Sequence, residues 1–340
     1  MDGNWNMIGH EWAVDGLRRA LANGRAAHAY LISGPPNIGK AALALRLAQA
    51  LNCLAEGEPP CGSCRACART ERGSHPDVRI GGLAAQAAAQ KPGESVKSRL
   101  GIDAVREFQA DIHLRPYEGR RRVLILHDAE ALTEQAANAL LKTLEEPPPF
   151  ATLILVAHGA GDLLPTIVSR CHTIKLRPVP RPLVAAALTE RWGIAPGDAE
   201  VVAAWSGGRI GWAVAVARSP ETLQARAEQL DGLLELQQLS LPQRFKWAET
   251  ISKSAKGGEE NIFELLDLWQ GWWRDVLLTA AGAADGLINV DRREDLQALA
   301  RLPLPAIYAT LRSIDLAATQ IRENVSPQLA LEQVLINLPG

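Results

Sequence analysis

The chain has 340 residues, of which 47% are hydrophobic and 22% are charged, and its formal net charge is −2. This is an ordinary globular composition, long enough for two or three domains, and the charge does not indicate a nucleic-acid binder unless positive charge is segregated onto one face. No apolar run could span a membrane, and the first ten residues lack the regions of a signal peptide, so we expect a cytoplasmic protein without a membrane partner.

The first motif in chain order is a phosphate-binding loop that departs from its pattern at the last position. Residues 34–41 (GPPNIGKA) fit G-x-x-x-x-G-K-[ST] until Ala41, a methyl group where a hydroxyl should hold Mg²⁺. The glycines of such a loop let backbone N–H groups curl around phosphate oxygens, and Lys40 would reach the terminal phosphates. The residues predicted to contact nucleotide here are Gly34, Asn37, Gly39, Lys40 and Ala41.

The sequence on either side of the loop favours a nucleotide site. Residues 29–33 are a short apolar run typical of a buried strand, and residues 41–51 are rich in Ala and Leu, as in a mostly buried helix. Strand, glycine loop and helix is the order that the motif requires. The alternative is an ordinary strand-to-helix turn that contains Gly and Lys.

Four of the five cysteines are clustered with the spacing C-x7-C-x2-C-x2-C: Cys53, Cys61, Cys64 and Cys67. In a reducing cytosol such clustering favours a metal over disulfides. Four thiolates satisfy tetrahedral Zn²⁺ and leave no open position, which predicts a structural zinc site, with an iron–sulfur cluster as the competing metal. The remaining cysteine, Cys171, is predicted to be a packed apolar thiol.

The second half of the predicted nucleotide fold begins with residues 121–130 (RRVLILHDAE), which are typical of a buried strand that ends in polar residues. In phosphate-loop NTPases a carboxylate at this strand end holds Mg²⁺ and a second one orients the attacking water, a role that Asp128 could fill. Thr133 is a plausible N-cap for a helix that the prolines at 147–149 stop, and residues 152–157 form another apolar strand.

Two further segments of this region are assigned to the surface. The basic cluster formed by Arg115, Arg120, Arg121 and Arg122 is predicted to be solvated, with contact to DNA as the alternative. Residues 81–101, rich in Ala, Gln, Lys and Ser, predict an exposed loop.

Several of these segments together resemble the bacterial clamp-loader family of AAA+ proteins. The resemblance lies in AANALLKTLEEP at 136–147, SRC at 169–171, IGH at 8–10, HAYL at 28–31, and the four-cysteine insert followed by HPD at 75–77. It covers most of residues 8–178. It implies an α/β P-loop AAA+ domain with a parallel sheet and an inserted zinc module, then a small helical lid and an all-α collar domain.

The resemblance also implies domain boundaries. The AAA+ domain would span residues 1–178 with the zinc module at 53–67, the lid residues 179–224, and the collar residues 225–340. In the collar, residues 262–278 carry apolar side chains on more than one face, which is typical of a helix buried in a bundle or at an interface. A final helix is predicted to start at Ser326-Pro327.

Three positions depart from the pattern of active members of that family. Those members carry Ser or Thr in place of Ala41, Asp-Glu in place of His127-Asp128, and a polar residue in place of Ala157. The usual Mg²⁺ ligands are therefore absent, which predicts a chain that binds ATP or ADP weakly or not at all and has no useful ATPase activity of its own.

The resemblance assigns Arg170 as an arginine finger that reaches the ATP of a neighbouring subunit, where its permanent charge would stabilise the transition state. The alternative is an arginine paired to a local carboxylate. In the lid, Arg209 is a weak candidate for nucleotide contact, because Trp212 stands where related sequences commonly have the arginine.

Taken together, the resemblance implies a non-hydrolysing clamp-loader subunit of the DNA polymerase III holoenzyme. Its partners would be the gamma/tau and delta subunits, the sliding clamp and primer–template DNA. Two alternatives stay open: an active clamp-loader ATPase of the gamma/tau type, and a zinc-containing nucleotide-binding regulator outside replication.

Overall fold

The computed structural model of the chain describes residues 5–89, 98–254 and 260–339. The chain forms two compact units, of which the first contains Met1–Leu183 and Gly208–Trp212 and the second contains Val184–Gly207 and Ala213–Gly340. In the described ranges, no helix combines the length and the apolar character needed to cross a membrane. The three-domain boundaries implied by the family resemblance stay a prediction.

The first unit is built on a five-stranded parallel sheet with the strand order β2-β3-β4-β1-β5. The strands are β1 Ala29–Ser33, β2 Val78–Gly81, β3 Arg122–Leu126, β4 Ala151–Ala157 and β5 His172–Lys175. Every residue of β1 and β4 is buried, as expected for inner strands of a parallel sheet that helices cover on both faces. The predicted parallel α/β fold is confirmed.

Helices cover both faces of this sheet. They are α1 Glu11–Ala22, α2 Lys40–Asn52, α3 Arg65–Glu71, α4 Leu83–Ala89, α5 Ile102–Ile112, α6 Glu134–Glu145 and α7 Pro165–Val168. Because side chains alternate along a strand, Leu153 and Leu155 of β4 join one core with α5 and α6, whereas Ile154 and Val156 join the other core with α1 and α2. The sheet is therefore fixed from both sides.

Two local predictions in this unit have different outcomes. The Oγ1 atom of Thr133 accepts a hydrogen bond from Ala136 N at 3.3 Å, which confirms Thr133 as the N-cap of α6. The exposed loop predicted over 81–101 is wrong for its first part, because α4 occupies Leu83–Ala89; residues 90–97 lie outside the described ranges. Alanine has the highest helix propensity, and the Asp128 carboxylate accepts from the N–H of Leu83, a long-range contact that composition does not reveal.

The rest of the chain is helical. The helices are α8 Arg181–Trp192, α9 Pro196–Trp205, α10 Ile210–Ala217, α11 Pro220–Gln238, α12 Leu241–Ser254, α13 Glu260–Ala280, α14 Arg293–Leu299, α15 Leu304–Arg322 and α16 Pro327–Asn337. Trp269, Trp272 and Trp273 of α13 are fully buried inside the second unit. Since these large side chains lie in the core of a single chain, they stabilise the unit itself.

A buried arginine joins three helices of the second unit. Arg244 of α12 is 5% exposed, and its guanidinium donates to the carbonyl oxygens of Leu335 and Leu338 at 2.9 and 2.8 Å, at the end of α16. It also donates to the carbonyls of Gln237 and Leu239 at 2.9 and 3.0 Å, at the end of α11. The last carbonyls of a helix have no partner within it, so this side chain satisfies groups that would otherwise be buried and unpaired.

We expect Arg244→Ala to lower the free energy of unfolding by about 2–4 kcal/mol, because it leaves several buried carbonyl groups without a donor. Denaturant unfolding followed by tryptophan fluorescence measures the change. The control is Arg312→Ala, an exposed arginine of α15, which should change stability by less than about 0.5 kcal/mol. Equal unfolding midpoints for Arg244→Ala and the unmodified chain would contradict the role of Arg244.

Candidate functional site

The phosphate-binding loop lies where parallel strands end together. The register pairs Ser33 of β1 with Ala157 of β4, and Leu126 of β3 with Leu155 of β4, so the residues that follow these strands meet at one edge of the sheet. A cavity of about 370 Å³ opens there. It is lined by Pro36, Asn37, Gly39, Lys40, Ala41, Ala42, His127, Asp128, Glu130, Val156, Ala157, His158 and Gly211.

The loop backbone adopts the conformations that its sequence requires. Gly34 and Gly39 have φ angles of 150° and 103°, and Asn37 has a φ angle of 59°. A Cβ atom at Gly34 would lie 2.7 Å from the carbonyl oxygen of Leu176, so only glycine fits at this position. The turn of the predicted motif is therefore present, and α2 begins directly after it at Lys40.

Lys40 is held by its own loop. It is 8% exposed, and its Nζ atom donates to the carbonyl oxygens of Gly34 and Pro35 at 2.6 and 2.7 Å. Burial lowers the pKa of Lys40, while the carboxylates of Glu130 and Asp128 act in the opposite direction. The ammonium group is thus aligned with the loop and lies in the field of two carboxylates.

The three positions that depart from the family pattern come together in this cavity. Ala41, His127 and Ala157 all line it beside Lys40. Two of them offer only methyl groups, and burial lowers the pKa of His127 although Asp128 opposes the shift. None of these three side chains provides the oxygen ligand that Mg²⁺ prefers.

Asp128 lies in the cavity but is already engaged in a structural contact. It has a φ angle of 54°, and its Oδ2 atom accepts a hydrogen bond from Leu83 N at 3.0 Å. Its carboxylate therefore fixes the start of α4. That contact uses one oxygen of the group that the sequence suggested for orienting a water.

Two polar residues of the cavity, Glu130 and His158, were not assigned to it from the sequence. The Nδ1 atom of His158 lies 2.6 Å from Oε1 of Glu130, and the backbone N–H of His158 donates to Oε2 of Glu130 at 3.3 Å. Glu130 follows β3 and His158 follows β4, so they meet because the two strands are neighbours. The only sequence signal was a polar residue after each buried strand.

Gly211 also lines the cavity, and the sequence analysis did not assign it to the site. Its backbone N–H donates to Asn37 O at 2.8 Å, and a Cβ atom at Gly211 would lie 2.8 Å from the same oxygen.

The guanidinium of nearby Arg209 lies 5.3 Å from the ring centroid of Trp212, and Arg209 does not line the cavity. A role of Arg209 in nucleotide contact stays a prediction.

Arg170 lies at the surface, just after α7. Its NH2 atom lies 2.6 Å from Oε1 of Glu145, its NH1 atom donates to Thr166 O at 3.0 Å, and its side chain is 36% exposed. The ion pair between Arg170 and a local carboxylate, considered from the sequence as the alternative, is therefore present in the isolated chain.

The neighbouring Cys171 is packed against the sheet core, and burial raises its pKa to about 11.

The four clustered cysteines converge in space. The Sγ atoms of Cys53, Cys61, Cys64 and Cys67 all lie within 4.8 Å of one another, and Cys61 Sγ is 3.9 Å from Cys67 Sγ. With metal–sulfur distances of about 2.3 Å, tetrahedral geometry places sulfur atoms about 3.8 Å apart, so the cluster could hold a metal ion.

Backbone N–H groups support the sulfur atoms. Cys61 N donates to Cys53 Sγ at 3.4 Å, Cys64 N to Cys61 Sγ at 3.2 Å, and Cys67 N to Cys64 Sγ at 3.5 Å. Although burial opposes it, donation from Cys64 N and neighbouring groups lowers the pKa of Cys61 to about 6. This donation stabilises the thiolate of Cys61, the form that ligates metals, whereas burial raises the pKa of Cys53 and Cys67.

A buried histidine joins the N-terminal helix to the phosphate loop. His10 precedes α1 and is 1% exposed; its Nε2 atom donates to Ile38 O at 3.0 Å, and its Nδ1 atom has no hydrogen-bond partner. Burial is the main cause that lowers the pKa of His10 below 6.5, while the Ile38 carbonyl and Glu11 oppose the shift. Protonation would place a charge on a buried ring whose Nδ1 lacks an acceptor.

We therefore expect the chain to lose stability as the pH falls below about 6.5, because the unfolded chain binds a proton to this histidine before the folded chain does. Thermal unfolding measured from about pH 7.5 to about pH 5.5 should show a smaller loss for His10→Gln, whose amide can still donate to Ile38 O. The exposed residue His113 provides the control, since His113→Gln should retain the pH dependence of the unmodified chain. Equal pH dependence in His10→Gln and the unmodified chain would contradict the expectation.

Comparison with known proteins places the chain in a family. A family model described as "DNA polymerase III, delta subunit" matches residues 9–180, and one described as "DNA polymerase III, delta subunit, C terminal" matches residues 220–339. DNA polymerase III subunit delta' of Bacillus subtilis is 30% identical over 331 residues, which are 95% of this chain and 94% of that protein.

Other similar proteins cover less of the chain or resemble it less. DNA polymerase III subunit delta' of Pseudomonas aeruginosa is 42% identical over 151 residues, 44% of this chain and 43% of that protein. A solved DNA polymerase III gamma-subunit-related protein from Thermotoga maritima is 20% identical, with a TM-score of 0.45, and the match covers 95% of this chain and 97% of that protein. On the two family models and the Bacillus subtilis relative, the chain belongs to the delta-prime family of DNA polymerase III subunits.

Proposed function

We propose that this chain acts in the cytoplasm as a clamp-loader subunit that does not hydrolyse ATP and that supplies Arg170 to the ATP site of a neighbouring subunit. The observation that carries the proposal is the lining of the phosphate-loop cavity, where Ala41, His127 and Ala157 lie beside Lys40. ATP and ADP would bind there weakly or not at all.

The loss of metal ligands has a large kinetic cost. Phosphoryl transfer is catalysed by positioning and by electrostatic stabilisation, and the metal ion supplies much of both. The two carboxylates that remain in the cavity have other contacts, since Asp128 accepts from Leu83 N and Glu130 contacts His158. Lys40 and its loop would then serve as architecture inherited from an ATPase.

The surface contact of Arg170 is compatible with a role in another subunit. Glu145 and Arg170 have exposed fractions of 50% and 36%, and exposed ion pairs contribute only about 0.2–1 kcal/mol. Exchanging Glu145 for phosphate oxygens would therefore cost little. The planar guanidinium also matches the geometry of phosphate and keeps its charge at any physiological pH.

The proposed partners are the gamma/tau and delta subunits, the sliding clamp and primer–template DNA. The proposed organisation is an AAA+ domain over residues 1–178, a lid over 179–224 and a collar over 225–340. Membership of the delta-prime family supports both proposals.

In a reconstituted assembly, we expect Arg170→Ala to reduce ATP turnover at the adjoining site by about 10³-fold, the lower end of the usual effect of an arginine finger. Lys40→Ala in this chain should leave turnover unchanged, because its own site does not react. Arg177→Ala provides a matched control, since Arg177 is also an exposed arginine of this unit. Assembly must be verified by gel filtration for each variant.

Two results would contradict the proposal. Unchanged turnover in the assembly with Arg170→Ala would exclude the arginine finger. ATP turnover by the isolated chain that Lys40→Ala abolishes would instead favour an active ATPase of the gamma/tau type.

We further propose that the metal of the four-cysteine cluster is a structural Zn²⁺. Cys53, Cys61, Cys64 and Cys67 would hold it, and four thiolates leave no position for a water or substrate. Bound zinc would fix the segment between α2 and α3, and the two helices are also joined directly, because Gln49 Nε2 of α2 donates to Cys67 O of α3 at 2.9 Å.

Metal analysis of the purified chain should give about one zinc ion per chain. Cys64→Ser should lose most of the metal, because it removes one of four ligands, whereas Cys171→Ser should retain it, because Cys171 is not in the cluster. Iron in stoichiometric amount, or metal loss in Cys171→Ser, would overturn the zinc proposal.

A further inference from the structure

One surface of the first unit concentrates positive charge that the proposed ATP chemistry does not use. It consists of residues 65–72, mostly α3, and residues 113–122, which are the loop before β3 and the first residue of that strand, and we call it the basic face. These two segments contain seven arginines and two glutamates, whereas the whole chain has a net charge of −2. Arg69 NH1 lies 2.5 Å from Glu118 Oε1 and Arg65 NH2 lies 3.5 Å from Glu118 Oε2, so the segments are neighbours.

Both glutamates of the basic face are already neutralised. Glu118 pairs with Arg69 and Arg65, and Glu71 Oε2 lies 2.6 Å from Arg46 NH1 of α2. Within the described part of the chain, four arginines of the face have no carboxylate partner: Arg72, Arg115, Arg120 and Arg121. A cluster of uncompensated guanidinium groups on an otherwise acidic chain attracts polyanions.

A buried carboxylate fixes the loop of the basic face. Asp77 is 1% exposed and accepts from the backbone N–H groups of Tyr117, Glu118 and Gly119 at 2.6, 2.9 and 2.7 Å, and from Arg122 NH1 at 3.1 Å. Although burial opposes it, these donors hold the pKa of Asp77 below its usual range. The loop therefore has a defined conformation before any partner binds.

The fixed loop presents an aromatic ring to solvent. Tyr117 is 85% exposed, the largest exposed fraction among the large apolar side chains that the structure describes. Its backbone N–H is held by Asp77, so binding a flat partner would immobilise only the ring. Exposed aromatic rings beside arginines are the usual platform on which unpaired bases stack.

The basic face also borders an open cavity. Arg120 and Arg121 line a volume of about 520 Å³ beside the four-cysteine module, together with Arg18. Arg18 is paired with Glu58, so Arg120 and Arg121 supply the uncompensated charge of this cavity. An anionic group therefore has room next to them.

We propose that the basic face binds single-stranded nucleic acid, with Arg115 and Arg120 contacting phosphates and Tyr117 stacking on a base. A duplex would use the arginines but offers no unpaired base to Tyr117, and an acidic protein would not require a fixed aromatic platform. The proposal rests on the nucleic-acid partner already proposed and places a contact for it on this chain, at residues that do not line the phosphate-loop cavity.

The test is binding of fluorescently labelled oligonucleotides to the full chain, followed by anisotropy at several salt concentrations. The probes are single-stranded oligo-dT, the RNA oligo-U of equal length and a DNA duplex. We expect both single strands to bind more tightly than the duplex, and affinity to fall with salt by a slope of about 0.7 per phosphate contacted. A preference between oligo-dT and oligo-U identifies which nucleic acid is favoured.

Variants separate the contribution of phosphate contacts from that of base stacking. Arg115→Ala/Arg120→Ala should weaken binding by at least about tenfold and reduce the salt slope by about 1.4, because two phosphate contacts are lost. Tyr117→Ala should weaken binding by about tenfold with no change in slope, because stacking is not ionic. The matched controls Arg312→Ala and Tyr308→Ala, at exposed positions of α15, should bind like the unmodified chain.

Three results would overturn the proposal: no binding to either single strand, equal binding by Arg115→Ala/Arg120→Ala, or equal binding by Tyr117→Ala. Circular dichroism of each variant verifies that it is folded. Failure of this test leaves the arginine-finger proposal intact, since the latter is measured by ATP turnover in the assembly with Arg170→Ala.

Discussion

The parallel pairing of β4 with both β1 and β3 is the constraint on which the site depends. It sets Ser33 beside Ala157 and brings the ends of three strands to one edge of the sheet. The phosphate loop follows β1, His127 follows β3 and Ala157 is the last residue of β4, so they meet in one cavity. Because each strand is packed from both faces, this edge cannot shift without disturbing two cores.

The same edge brings together the three positions that depart from the family pattern. Although they are far apart in the sequence, Ala41, His127 and Ala157 line the same cavity as Lys40. The two carboxylates of the cavity make contacts within the protein, since Asp128 accepts from Leu83 N and Glu130 contacts His158. The loop keeps its shape without a bound metal, because Lys40 donates hydrogen bonds to the carbonyl oxygens of Gly34 and Pro35.

The charged groups of the first unit are paired to different extents at its two functional surfaces. At the carboxyl ends of the strands, charged groups are engaged within the protein, whereas the basic face leaves several guanidinium groups uncompensated. Asp77 connects that face to the sheet, because it lies just before β2 and accepts three N–H groups of the loop before β3. One buried carboxylate therefore determines how a whole surface loop is presented.

The sequence by itself determined the phosphate loop, its missing hydroxyl, the four-cysteine cluster, the Thr133 cap and the parallel α/β fold, because each depends on residue type at short spacing. Only the tertiary structure decided that Glu130, His158 and Gly211 join the cavity, that α4 begins at Leu83, and that Arg170 pairs with Glu145. Those contacts join residues distant in the chain, and their partners are chosen by strand register and packing, which no local pattern encodes.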